Sequence, residues 1–96
     1  MDAGQVRTSL AAVAEQLQVL GVRSLSVFGS VARGQGGVDS DLDFLVEFEG
    51  PATFDRYMGL KELLEGEFAC RVDLVTLRAL KPALRDEVLG EAVRVA

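Results

Sequence analysis

At 96 residues, with 49% hydrophobic and 26% charged side chains, the chain has the length of one globular domain, read as residues 1–96, and too little for a second. A net charge of −5 without a Lys/Arg cluster excludes a free-standing nucleic-acid binder, because nothing is available to displace counterions from a phosphate backbone. The absence of histidine excludes a His-based nucleophile relay and, with a single cysteine, leaves a poor ligand set for zinc, so chemistry here has to run on carboxylates.

In chain order, Val6, Leu10, Val13, Ala14, Leu17 and Leu20 recur at three- and four-residue spacings, which predicts one amphipathic helix over residues 3 to 20. Gly21 follows as its C-terminal cap. SLSVF, residues 24 to 28, predicts a short strand ended by Gly29. After Gly29-Ser30, the Val31-Ala32-Arg33 segment is long enough for a single helical turn before Gly34, Gly36 and Gly37 break it. Such a turn would aim backbone N–H groups at the end of the strand, where an anion would sit.

Residues 41 to 48 predict a second strand with Leu42, Phe44, Val46 and Phe48 on one face and Asp41, Asp43, Leu45 and Glu47 on the other. Two charges beside Leu45 need something to offset them. Gly50-Pro51 closes this strand, and Thr53 is a candidate N-cap for a helix to about Gly66, with Phe54, Tyr57, Met58, Leu60, Leu63 and Leu64 as its apolar side. Tyr57 and Met58 are read as core or interface residues. CRVDLVT, residues 70 to 76, predicts a third strand in which Asp73 faces away from Val72 and Leu74. Cys70 cannot form an internal disulfide and is read as a small core residue. Pro82 suits the first turn of a last helix carrying Leu84, Val88 and Leu89, and Ala92-Val93-Arg94-Val95 can form a short closing strand.

The chemistry-bearing pattern is a conjunction. A strand ends in Gly29-Ser30, ten residues follow, and Asp41-x-Asp43 leads directly into an apolar strand, with Asp73 on a later one. Asp41 and Asp43 project from one strand face with Cα atoms roughly 6.6 Å apart. If the strand of Asp73 is a neighbour in register, all three carboxylates reach one patch. That arrangement suits two divalent ions clamping an in-line phosphoryl displacement, and hard Mg²⁺ takes a few carboxylates plus phosphate oxygens. Two carboxylates 5 Å apart repel by on the order of 3 kcal/mol at an effective dielectric of 20, so a bound cation is expected to stabilise the fold. An isolated Asp-x-Asp is more often solvated turn chemistry, and Gly-Ser alone carries still less.

GSVARG, followed by DSDLDFLV and later VDLVT, resembles the minimal nucleotidyltransferases, the smallest members of the DNA polymerase β-like nucleotidyltransferase superfamily. The resemblance runs from about Leu25 to the C-terminus. It implies an α/β (α+β) fold, with a mixed, mainly antiparallel sheet of about three or four strands flanked by helices. It also implies Mg²⁺-dependent transfer of a nucleoside monophosphate, AMP from ATP in the first instance, to an acceptor hydroxyl. By position, Gly29 and Ser30 would contact the triphosphate, with Arg33 stabilising charge on the phosphates or the pyrophosphate; an ion pair of Arg33 with Asp39 or Asp41 is the plainer alternative. Asp41 and Asp43 would hold the metal ions, and Asp73 would complete the set and favour deprotonation of the attacking hydroxyl.

Relatives of this size are commonly paired with a helical HEPN protein as the antitoxin of a toxin–antitoxin system, which makes a tyrosine of such a partner the first acceptor to consider. The other reading is a non-catalytic antitoxin, or nucleotide-binding module, that acts by contact. No apolar stretch approaches the roughly 20 residues that cross a bilayer, and the N-terminus lacks a secretory pattern, so a cytoplasmic protein without a membrane partner is expected. A domain this small buries only about 60–65% of its unfolded surface, which leaves apolar residues for a partner or a homodimer.

Overall fold

The computed structural model describes residues 2–29 and 41–96. Helices α1 (Ala3–Ala11) and α2 (Ala14–Val19) lead into strand β1 (Val22–Phe28), followed by β2 (Leu42–Phe48), α3 (Phe54–Phe68) and β3 (Val72–Thr76). A 3₁₀ turn (Leu77–Ala79), α4 (Pro82–Glu91) and the two-residue β4 (Val93–Arg94) complete the chain. One four-stranded sheet forms in the order β3-β2-β1-β4. β1 is antiparallel to β2 and to β4, and β2 is parallel to β3. The sheet is therefore mixed and mainly antiparallel, flanked by helices, as the family resemblance implies. Its parallel pair is joined by a crossover through α3, the connection that parallel neighbours require.

The alternation in β2 sets the layers. Leu42, Phe44, Val46 and Phe48 are buried in the main core. They meet Leu25 and Val27 of β1, the stripe Val6, Leu10, Val13 and Leu17 of α1–α2, and Leu60 and Leu64 of α3. Leu45 points to the opposite face, yet is only 6% exposed. It borders a cavity of about 80 Å³ with Ser24, Ser26, Glu47, Leu77 and Leu89. The turn after β3 and α4 thus lie over part of this second face and account for the covering of Leu45.

Local chemistry explains most element ends. Asp2 and Gln5 form a capping box at α1. Gly21 has φ +78°, the left-handed cap expected after α2. The Thr53 hydroxyl accepts from the Arg56 N–H at the start of α3, and Pro82 occupies the first turn of α4. Three expectations need correction. The predicted helix over 3 to 20 is broken at Ala12-Val13, where Val13 leaves helical geometry at φ −117°, ψ 21°. Val13 stays buried, so the break preserves the apolar stripe while separating its two halves, and a β-branched residue is a poor holder of helix at such a point. Phe54, assigned to the apolar side of α3, is 76% exposed because it precedes the part of the helix that crosses the sheet. Ala14 is also exposed.

Candidate active site

The site is assembled at the end of the sheet where β1 finishes and β2 and β3 begin. Phe28, the last residue of β1, is opposite Asp43. Asp43 is in turn the register partner of Asp73 on the parallel neighbour β3. Register partners on adjacent parallel strands project to the same face with Cα atoms about 4.8 Å apart. The condition attached to the sequence pattern, that the two aspartate strands be neighbours in register, is met.

Gly29 closes the third side. Its φ of +72° lies in the left-handed region, and a Cβ placed on it would fall on the Asp43 carboxylate oxygen. Both facts favour glycine, and the second places the end of β1 directly against the aspartate of β2. Asp43 is half-buried there, whereas Asp73 and Asp41 are exposed. Asp41 stands one residue ahead of β2, so it joins the same end of the sheet from just outside the strand. Ser30 and Arg33, and the helical turn expected after Gly29, lie outside the described residues.

Among the described residues, no three His, Cys, Asp or Glu side chains are already grouped as a metal-holding cluster. The backbone register brings Asp43 and Asp73 together, with Asp41 nearby. The donors are all carboxylate oxygens, the set that suits a hard cation such as Mg²⁺ and not zinc.

Cys70, between α3 and β3, belongs to the same neighbourhood. Burial pushes its thiol above the ordinary range, and the carboxylates of Asp41 and Glu65 push it further, opposed only by a hydrogen bond with the Leu42 backbone. Raising the thiol in this way disfavours the thiolate, the form that acts as a nucleophile. Nothing in the residue spacing signals that Cys70 sits beside Asp41.

Two other contacts escaped sequence reasoning. The Tyr57 hydroxyl donates to the Leu74 carbonyl at 2.6 Å, and the Glu65 carboxylate accepts from the Val72 N–H at 3.4 Å. A tyrosine inside an apolar helical stripe is the available signal, since a buried phenol needs a partner. At the far end of the sheet, Arg56 donates to the Glu49 carbonyl at 2.8 Å and the Pro51 carbonyl at 3.3 Å. Glu47, on the face of β2 opposite the main core, pairs with Arg23 at 3.4 Å, a solvent-accessible ion pair of small energetic weight.

Comparison with known proteins agrees with this geometry. The nucleotidyltransferase domain family matches residues 7–95. The chain is 44% identical to protein adenylyltransferase MntA of Thermococcus cleftensis, over 78% of this chain and 76% of that protein. It is 43% identical to a protein of Methanocaldococcus jannaschii assigned as a protein adenylyltransferase, over 78% of this chain and 81% of the relative. A solved structure assigned as a minimal nucleotidyltransferase superposes with a TM-score of 0.82 at 45% identity, covering 97% of this chain and 95% of the other. The fold is shared at 18% identity and a TM-score of 0.68 by an MNT antitoxin complexed with a tri-AMPylated HEPN toxin from Shewanella oneidensis, over 95% of this chain and 71% of that one.

Proposed function

The chain belongs to the nucleotidyltransferase domain family, among its minimal members, and we propose that it transfers AMP from ATP to a hydroxyl group of a partner protein. The observation that carries this reading is the register pairing of Asp43 with Asp73 beside Gly29. Protein adenylyltransferase is the activity named for relatives that share over 40% of the aligned residues.

Asp41, Asp43 and Asp73 are the residues that would hold Mg²⁺. The exposed Asp41 and Asp73 side chains can rotate toward Asp43 when nucleotide arrives. When bound, the ion neutralises charge on phosphate oxygens. Gly29 leaves the backbone at the end of β1 open to close approach by the triphosphate, with Ser30 and Arg33 proposed to continue that contact. The acceptor oxygen forms a bond to the α-phosphorus as the bond from that phosphorus to the pyrophosphate oxygen breaks, and pyrophosphate departs with the electron pair. The hydroxyl proton passes to the Asp73 carboxylate. The chain contributes positioning and fixed charge, which a small domain can supply.

The acceptor is proposed to be a tyrosine of a HEPN-type helical protein, with this chain as its antitoxin in the cytoplasm. Support comes from the shared fold with the antitoxin of the AMPylated Shewanella complex. The test is Mg²⁺-dependent pyrophosphate release from ATP in the presence of that partner. Asp41→Asn and Asp43→Asn should each lower the rate by on the order of a hundredfold or more, as expected for removing a group that stabilises transition-state charge. Unchanged rates in both variants would overturn the catalytic reading. Full inhibition of the partner by an inactive Asp43→Asn variant would instead indicate an antitoxin that acts by contact.

A further inference from the structure

β3 is an edge strand, so one row of its backbone groups has no partner strand. The Leu42 N–H donates to the Arg71 carbonyl at 3.0 Å, which fixes the alternation. In a parallel pair, Arg71, Asp73 and Val75 then turn their backbone groups toward β2, and Val72, Leu74 and Thr76 turn theirs outward. Helix α3 satisfies that outer row at two points. The Tyr57 hydroxyl donates to the Leu74 carbonyl at 2.6 Å, and the Glu65 carboxylate accepts from the Val72 N–H at 3.4 Å. Tyr57 and Glu65 are about two helical turns apart along α3. The residues they hold, Leu74 and Val72, flank Asp73 on either side.

We propose that Tyr57, assisted by Glu65, is a positioning residue that fixes the Asp73 carboxylate against Asp43. This rests on the assignment of Asp73 to the transfer site. On its β2 side, Asp73 is held by the strand pair; on the other, β3 is steadied only by what α3 provides among the described contacts. Of the two tethers, the 2.6 Å phenol bond is the stronger by geometry, and the 3.4 Å carboxylate bond is near the limit of the interaction. The bond is partly buried, so a Leu74 carbonyl left unpaired there has less water to turn to than one at the open surface. A shift of about an ångström in a reacting group can cost a hundredfold in rate, so a tether one residue from Asp73 has leverage on the site.

The test uses the full chain with Mn²⁺ and the non-hydrolysable nucleotide AMP-PNP, reading Mn²⁺ affinity by electron paramagnetic resonance. Tyr57→Phe keeps the ring and removes only the hydroxyl; it should weaken Mn²⁺ binding roughly tenfold, and Glu65→Ala two- to threefold. Thr53→Ala, which removes the α3 cap without touching β3, is expected to lower the melting temperature and to leave Mn²⁺ affinity within twofold of the native chain. Equal loss in Thr53→Ala and Tyr57→Phe would reduce the tyrosine to a general stabiliser and overturn the proposal. So would native affinity in Tyr57→Phe while Asp73→Asn has lost binding, a result that leaves the transfer site itself standing. Native affinity in Asp73→Asn would overturn both.

Discussion

Helices α3 and α4 carry the same kind of apolar stripe in sequence and end up in different circumstances. α3 is 15 residues long, is capped by the Thr53 hydroxyl, and buries Leu60 and Leu64 completely. α4 has 10 residues, no side-chain cap at Lys81 and no buried residue, and its Leu84 and Leu89 are 49% and 46% exposed. A short helix without a buried face is marginal by propensity alone, since most helical stability in proteins comes from packing. The difference follows position in the fold: α3 links the parallel strands and hydrogen-bonds to β3, whereas α4 only covers part of the second sheet face near Leu45. Similar periodicity can therefore mark a structural beam or a loosely held cover.

Truncation should separate the two helices most strongly. Leu64→Ala in α3 is expected to cost about 2–5 kcal/mol of unfolding free energy, and Leu84→Ala in α4 less than about 1 kcal/mol, measured by urea denaturation. Similar losses at both sites would erase the contrast.

Glycine substitution gives a smaller and more selective probe. A Cβ at Gly66 of α3 or Gly90 of α4 meets no atom within 4 Å, so alanine fits either helix. Gly66→Ala should raise global stability by roughly 0.5–1 kcal/mol. If α4 opens by local unfolding, Gly90→Ala will slow its amide exchange and leave the global melting temperature nearly unchanged. An equal rise in melting temperature for both would show that α4 belongs to the same cooperative unit.

The smallest effect is expected at Cys70, where α3 hands the chain to β3. Because burial, Asp41 and Glu65 raise the folded thiol above its unfolded value, the thiol contributes stability that is fully present below the ordinary thiol range. That contribution is lost as pH rises through the folded value. Alkylation by iodoacetamide at pH 8 should be slower than for an unstructured thiol, and Asp41→Asn should speed it. An alkylation rate indifferent to Asp41 would remove that carboxylate from the neighbourhood of β3.

Much of this organisation was legible from residues. The two faces of β2, the Thr53 cap, the left-handed Gly21 and Pro82 in the first turn of α4 all follow from local chemistry, and the structure reproduces them. The approach of Asp73 to Asp43 could be stated only as a condition, because a register between strands separated by a helix is set by tertiary packing. The break at Ala12-Val13 and the exposure of α4 were hidden for the same reason: periodicity reports which side chains are apolar, not which surface exists to receive them. The apolar stripe marks Tyr57 as a core or interface residue, and its ring does pack on the core, but its hydroxyl partner lies on a strand whose edge position the sequence does not announce.

The central claim is that the Asp43–Asp73 pair is the heart of a transfer centre. Its most direct measurement is the movement of label from α-phosphate-labelled ATP onto the helical partner protein, comparing the native chain with Asp73→Asn. Labelled partner tyrosine is expected with the native chain, and a loss of on the order of a hundredfold with the variant. Labelling by Asp73→Asn at the native rate would contradict it.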